Sequence, residues 1–353
     1  MDSKILNKRQ DKILEILDKR DGLGISEISS ELKIVFKTIA KITINRDLKE
    51  LVKQGCITTE GKARAVTYKL SPHYNLIRPI NIEKYFKIEA DRREAKKSFD
   101  FNIFILLKND ILTEDEKQHL DDLNNEYRKN IKKISLTIKK KELERLIIEL
   151  SWKSSKIEGN TYTLLETEVL IKEGREAKGH EKQEAVMILN HKKALDYIVK
   201  NKSNFKKITI RKIEDVHCLL TQNLGISKNL RKTAVGITGT KYMPFDNQHQ
   251  IREAMEKTCD AVNAFGSSLS KAIILSILIA YIQPFEDGNK RTSRLMANAI
   301  LLAYDMCPLS YRKMDEVEYK KAVILFYEQN NLSYFKELFI EQFEFAVKNY
   351  FRI

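Results

Sequence analysis

Cysteine, glycine and proline are all thinly spread through this sequence, and each shortage excludes something. Four cysteines, Cys56, Cys218, Cys259 and Cys307, stand far apart without paired spacing. That pattern argues against a disulfide framework or a zinc site and leaves free thiols in a reducing compartment. Twelve glycines and five prolines in 353 residues leave no collagen-like, mucin-like or linker-type segment. Long hydrophobic runs are missing too. The longest, Ala272 to Ile282, is short and broken by Ser276, so no membrane span is expected. The start, Met1-Asp2-Ser3-Lys4, lacks the basic-then-apolar order of a signal peptide. The expected setting is the cytoplasm.

What is present is charge. The net balance is +14, which favours polyanionic partners such as nucleic acid or nucleotides. One run, Arg128 to Lys141, carries seven basic residues and no acidic one. It reads as a solvated helical face, with a phosphate-contacting surface as the alternative.

The first 71 residues read as one unit. Ile13, Ile16 and Leu17 give the spacing of a first helix, and Ser26 is placed to cap a short second one, Glu27 to Leu32. A third helix is expected from about Ile39 to Gln54. Ile44, Leu48 and Leu51 would face its core, and Lys41, Thr43, Asn45, Arg46 and Lys49 would face out. Two short strands follow around a turn at Glu60-Gly61-Lys62. Three helices and a hairpin resemble a winged helix-turn-helix, in which the third helix enters a major groove while Lys62 and Arg64 reach phosphates. Such a module also serves protein interaction, and its 15 basic against 10 acidic residues leave both readings open.

From Glu142 onward nearly everything carries a helical pattern, except Ala234 to Pro244, where Gly, Thr and Val suggest a short hairpin. The chemistry concentrates in Gln283-Pro-Phe-Glu-Asp-Gly-Asn-Lys-Arg-Thr-Ser-Arg294. An apolar helix ends before Pro284, and a second begins near Lys290. Lys290, Arg291 and Arg294 therefore crowd the positive end of a helix dipole, an unfavourable placement unless an anion sits there. The backbone N–H groups of Gly288, Asn289 and Lys290 could bind that anion, and Gly288 permits the tight turn. Arg291 and Arg294 are three apart, so both guanidinium groups can grip neighbouring phosphates. Asp287 beside them suits Mg²⁺, which takes one or two carboxylates together with phosphate oxygens. The residues alone thus describe a polyphosphate pocket between two helices.

This segment resembles the Fic signature H-P-F-x-[DE]-G-N-[GK]-R-x-x-R, matching eight of its nine constrained positions. The resemblance implies an all-helical Fic (Fido) core with a β-hairpin flap that binds ATP with Mg²⁺ and transfers AMP to a hydroxyl of a target protein. It places the metal on Asp287, the α-phosphate on Asn289 and the following amides, and the outer phosphates on Arg291 and Arg294. It extends to Glu184–Ala194 with Asn190 and His191, to Ile213–His217, to Arg231–Pro244 as a strand-adding flap and to the region of Tyr319, about residues 145–345 in all.

A second stretch, Ser154-Ser155-Lys156-Ile157-Glu158-Gly159, is similar to the family's inhibitory pattern. Ser154 and Glu158 share a helix face, and Gly159 suits the residue just past a helix end. A carboxylate aimed from there at arginines would compete with a phosphate. The resemblance pairs Glu158 with Arg294 and implies self-inhibition.

The departure is Gln283, where the family has histidine. A carboxamide has no titration near neutrality and cannot act as a general base, though it can still position a hydroxyl. Three readings stay open: an adenylyltransferase of weak or altered activity, a nucleotide-sensing pseudoenzyme, and a DNA-binding regulator. The expected fold is mostly α. A small α+β winged helix-turn-helix occupies 1–71 and a helical connector 72–141. The Fic domain spans 142–353, with its inhibitory helix at about 143–159 and its signature at 283–294. Expected partners are ATP, a target protein and DNA through residues 1–71, with a homodimer as an open option and no membrane.

Overall fold

The computed structural model describes residues 6–20 and 22–352, the side chain of Arg64 excepted. The phosphate contact expected of Arg64 therefore lies outside the described residues. The chain divides into two compact units. The first runs to Pro79 and includes Ile111–Gln118; the second comprises Ile80–Asp110 and everything from His119 onward.

The first unit is built from α1 (Lys8–Lys19), β1 (Leu23–Gly24), α2 (Ile25–Phe36), α3 (Lys41–Lys53), β2 (Ile57–Glu60), β3 (Thr67–Leu70) and α4 (Pro72–Ile77). Asn7 caps α1 in a reciprocal box with Gln10, which closes two of the four donors a helix start leaves open. Ile13, Leu17, Ile28, Leu32, Ile44, Leu48 and Leu51 are wholly buried together, so each helix contributes one apolar face. The three strands form an antiparallel sheet in the order β1-β3-β2, with Thr59 opposite Tyr68. The second helix differs from expectation. It starts before Ser26, because Glu27 reaches back to the N–H of Gly24 at 2.9 Å and fixes the entry there.

In the second unit the helices are α5 (Ile82–Phe86), α6 (Ile103–Leu106), α7 (Glu114–Lys133, its first turn in the first unit), α8 (Leu136–Ile157), α9 (Leu164–Glu173), α10 (Lys182–Lys200), α11 (Ile210–Thr221), α12 (Gln248–Ala264), α13 (Ser268–Ile282), α14 (Asn289–Ala303), α15 (Glu316–Gln329) and α16 (Ser333–Asn349). α13 is apolar around its whole circumference and buried from Leu269 to Ile282, as such a helix must be. α14 packs along it, α12 and α15 flank it, and α8, α10 and α11 close over α14. The basic run does more than face solvent. Arg128 donates to the carbonyl of Tyr304 at 3.1 Å, at the end of α14, where a cation is favoured by the dipole.

Two local expectations need correction. The helix carrying the inhibitory pattern begins at Leu136 under a Ser135 cap, seven residues before 143. Residues 234–244 form no hairpin: among the described residues their one bridge is Met243 with Ser98. Turn-prone and β-branched residues are present there, but the two halves do not pair. The segment is instead tied down by aromatics, since Tyr242 stacks on Tyr281 at 4.8 Å and donates to the Tyr281 carbonyl at 2.8 Å. Among the described residues no helix is long and apolar enough to cross a membrane.

Candidate functional site

The site forms where α13 stops and α14 starts. Gln283 ends α13 in the left-handed region, at φ 50°, and its N–H still bonds the carbonyl of Ile279. Arg231 reinforces the stop. Its Nε donates to the Gln283 carbonyl at 2.6 Å, its Nη1 to the Thr233 carbonyl at 2.6 Å, and its backbone N–H to the Pro284 carbonyl. A buried cation thus satisfies carbonyls that a helix end leaves open. The sequence offered Arg231 only as the start of a flap.

The turn is then locked from inside. Asn289 accepts from the N–H of Phe285 and donates to its carbonyl, both at 2.8 Å, so this side chain is spent on the loop. What Asn289 can offer a ligand is its backbone N–H. Gly288 stands at φ 78°, and a Cβ there would meet Thr221 at 3.3 Å and His217 at 3.4 Å. Phe285 lies flat on His217, ring centres 3.6 Å apart. Burial drives the His217 pKa down to about 4, so the ring is neutral, and both its nitrogens face partners on Thr292 and Ser227. No side chain caps α14, which leaves its first-turn N–H groups open.

Arg291 rises from this first turn and Arg294 from the next, 2% and 0% exposed. Arg291 gives one Nη2 bond to Asp287 at 3.1 Å, while its buried Nε and Nη1 have no partner. Arg294 donates from Nε to the Ser154 hydroxyl at 2.9 Å. Its Nη2 reaches both the Ser154 carbonyl and Glu158 Oε1 at 2.8 Å, and its buried Nη1 has no partner. Buried donors are rarely left unpaired, so three such N–H-bearing atoms side by side call for an acceptor.

Glu158 is held in place by the way α8 ends. Gly159, at φ 99°, follows it. The N–H of Gly159 bonds the carbonyl of Lys156 and that of Asn160 the carbonyl of Ser155, a Schellman closure. Lys290 lies 3.8 Å from its other oxygen. Burial works to raise the Glu158 pKa, but Arg294, Lys290 and Arg291 outweigh it and hold the carboxylate below its ordinary range. The carboxylate is charged and sits among the cations the sequence assigned to phosphate.

Glu158, Lys290 and Arg291 line a cavity of about 460 Å³ together with Gln283, Glu286, Asp287, Tyr319 and Tyr327. The Gln283 amide nitrogen is turned back, donating to the Ala280 carbonyl at 2.7 Å and the Tyr327 hydroxyl at 3.3 Å. Of the residues singled out in the signature and the inhibitory pattern, Glu158, Gln283, Asp287, Gly288, Asn289, Lys290 and Arg291 line this cavity, whereas Ser154 and Arg294 do not and connect to it through the Arg294–Glu158 bond. Tyr327 and Arg231 were not singled out, and no local spacing marks them.

The Fic/DOC family model matches residues 207–301, which contain this turn. The chain carries a Fic domain. Protein adenylyltransferase Fic of Nematostella vectensis is 29% identical over 188 residues, 51% of this chain and 43% of that protein. A probable protein adenylyltransferase of Aquifex aeolicus is 30% identical over 105 residues, 28% of this chain and 31% of its own. The match thus spans less than half the length of these curated relatives. Among solved structures, Fic-1 of C. elegans superposes with a TM-score of 0.57 at 20% identity, over 67% of this chain and 71% of that one. A Fic domain-containing signaling protein of Bacteroides thetaiotaomicron gives 0.56 at 18% identity, over 65% and 94%. At those identities the likeness is one of fold.

Proposed function

We propose that the Fic domain of this chain binds ATP with Mg²⁺ as a self-inhibited protein of the adenylyltransferase type, in which Gln283 slows transfer of AMP to a target hydroxyl. The observation that carries the reading is buried Arg291 on the wall of a cavity at an uncapped helix start, with Arg294 joined to that wall through Glu158, both arginines keeping buried N–H groups without acceptors. A triphosphate supplies those acceptors, and helix N–H groups add to them. Similarity to proteins named as adenylyltransferases supports ATP as that triphosphate.

The metal fits on the same ground. Asp287 is an exposed carboxylate at the cavity wall, and no cluster of three or more ligating side chains exists among the described residues. One carboxylate with phosphate oxygens suits Mg²⁺, whereas an all-protein cage would not be needed. When bound, Mg²⁺ neutralises charge on the triphosphate. Arg291 must then share or release Asp287, and its remaining N–H groups turn to phosphate.

Transfer requires a hydroxyl oxygen to attack the α-phosphorus while pyrophosphate leaves and the hydroxyl proton goes to a base. Gln283 cannot take that proton, and a missing general base removes about 10²–10⁴ of rate. His217 does not replace it, being buried and doubly engaged. Glu158 opposes the outer phosphates by occupying Arg294. A reducing cytoplasmic setting suits four free thiols.

Calorimetry with Mg·ATP tests this reading. Wild type should bind weakly, Glu158→Gly about tenfold or more tightly, and Arg291→Ala in that background should bind little, since each lost charge-assisted bond costs about 1.5–3 kcal/mol. Absence of binding by both wild type and Glu158→Gly would remove the nucleotide reading.

A second reading concerns the first unit. Its order of helices and strands, with exposed Lys41, Arg46 and Lys49 on the third helix and exposed Lys62 between β2 and β3, supports a winged helix-turn-helix that binds duplex DNA. A salt-dependent mobility shift that weakens in Arg46→Ala and Lys62→Ala tests it.

A further inference from the structure

α2 and α3 are joined by four residues, 37–40, the length of a helix-turn-helix corner. Along α3 the buried face is Ile44, Asp47, Leu48 and Leu51. The opposite stripe, at the same helical spacing, is Ile42, Asn45, Arg46 and Lys49. Ile42 is its anomaly. It stands in the first turn, 79% exposed, although isoleucine gains nothing from water and a helix gains little from a β-branched side chain there. Around it the surface is basic. Lys41, Arg46 and Lys49 make no ion pair among the described residues, and Ala40 leaves the start of α3 without a side-chain cap.

We propose that this stripe reads A·T base pairs in a DNA major groove, with Ile42 against a thymine methyl and Asn45 on the edge of an adenine. The proposal rests on the DNA reading of the first unit and names what that surface selects. An apolar side chain matches the one apolar group a base pair presents in the major groove, the C5 methyl of thymine. A carboxamide matches the acceptor and donor pair of adenine. Arg46 and Lys49, one turn and two turns further along, and the open N–H groups at the start of α3 suit phosphates, which position the helix without reading sequence. Charge complementarity selects DNA over a second copy of this chain, since a stripe of free cations facing its own symmetry mate would repel.

The test uses the full chain and a pool of duplexes randomised at the centre. Selection should enrich A·T steps. The selected duplex is then remade with deoxyuridine for thymidine, which deletes only the methyl groups. Loss of a contacted methyl should weaken wild type about fourfold, on the scale of one buried carbon, and should leave Ile42→Ala unchanged, because that variant has already lost the contact. Asn45→Ala should relax selection at adenine. Since Ile42 and Asn45 lie outside the core, unchanged thermal melting checks that each variant is folded. If the duplex binds but uracil and thymine are equivalent for wild type, the inference fails and the DNA reading stands. If no duplex binds at low salt, the DNA reading fails. Should Ile42→Asp then also convert a dimer to a monomer in sedimentation, the stripe belongs to a second copy and the proposal is overturned.

Discussion

Glu158 and Arg294, 136 residues apart in sequence, meet at 2.8 Å with Arg294 wholly buried. The contact joins the end of one helix to the second turn of another, and neither half makes sense alone. The Schellman closure after Glu158 fixes where its carboxylate points. Ser154, one turn earlier on α8, accepts from Arg294 through both its hydroxyl and its carbonyl, so the guanidinium cannot swing freely. The pair therefore holds the arginine in a defined place while occupying one of its donors.

Removing the carboxylate charge should separate stability from binding. Glu158→Gln leaves a buried arginine short of its counter-ion, which costs about 3 kcal/mol, the low end for breaking a buried pair because a fifth of the Glu158 side chain remains exposed. Thermal melting without nucleotide should fall accordingly. Added Mg·ATP should then raise the melting temperature of Glu158→Gln more than that of wild type. Equal melting of the two proteins, with equal response to ATP, would mean the contact is incidental.

Acid should act in two successive windows. His217 is buried and pushed down from 6.5 to about 4, so its neutral form contributes stability fully present above pH 6.5 and lost as pH falls toward 4, about 3 kcal/mol across that span. Glu158 is held below the ordinary 4.5 of a glutamate, so its contribution is present above 4.5 and lost as pH falls through its lower folded value. Denaturant melts from pH 7 to 3 should show the first loss in wild type and a flatter course between 6.5 and 4 in His217→Gln. The same slope in both proteins would exclude His217 as its source.

The signature turn was legible because its chemistry is local: a glycine, a run of cations and an acid four residues before Arg291 all lie within one loop and one helical turn. Glu158 could be found because serine and carboxylate at helical spacing next to Gly159 mark a helix end. The hairpin at 234–244 misled because turn and strand propensity describe what a segment can do, whereas pairing needs a partner, and here Tyr242 and Arg231 tie the backbone to α13 instead. Ser26 misled in a smaller way. The longer reach of Glu27 to Gly24 set the cap one turn-edge earlier. Arg93 could not be read at all, since its partner lies 235 residues away.

That partner makes a prediction. Arg93 donates to both oxygens of Glu328, at 2.8 and 3.0 Å, and to the carbonyl of Gly239 at 2.6 Å, with both charged side chains buried. Glu328 also accepts from the Tyr85 hydroxyl. Arg93→Ala should therefore lose about 3–5 kcal/mol, because an uncompensated carboxylate is left inside. Arg93→Lys should recover little, since an ammonium cannot reproduce the fork that serves Glu328 and Gly239 together. Equilibrium unfolding in urea checks both. Full recovery by lysine would show that only charge, not geometry, is needed there.

Gln283 supplies the sharpest prediction about chemistry. Its carboxamide nitrogen donates to Ala280 and Tyr327, at the point where the helix ends and the cavity begins. The backbone there is already left-handed and pinned by Arg231, so a replacement side chain inherits the same position. Gln283→His introduces a group that titrates near neutrality where the family has one, and transfer of labelled AMP should rise by about 10²–10⁴. The rise should require Glu158→Gly as well, because Arg294 otherwise stays occupied and the triphosphate is misplaced. The double variant should lose its activity below pH 6, when the new imidazole is protonated, whereas wild type should show no such limb. Measuring transfer for the two single variants and the double variant across pH 5 to 8 separates the effects. Strong transfer by Gln283→His alone would make Glu158 irrelevant to the pocket, and none by the double variant, despite tight ATP binding, would mean the site lacks more than a base.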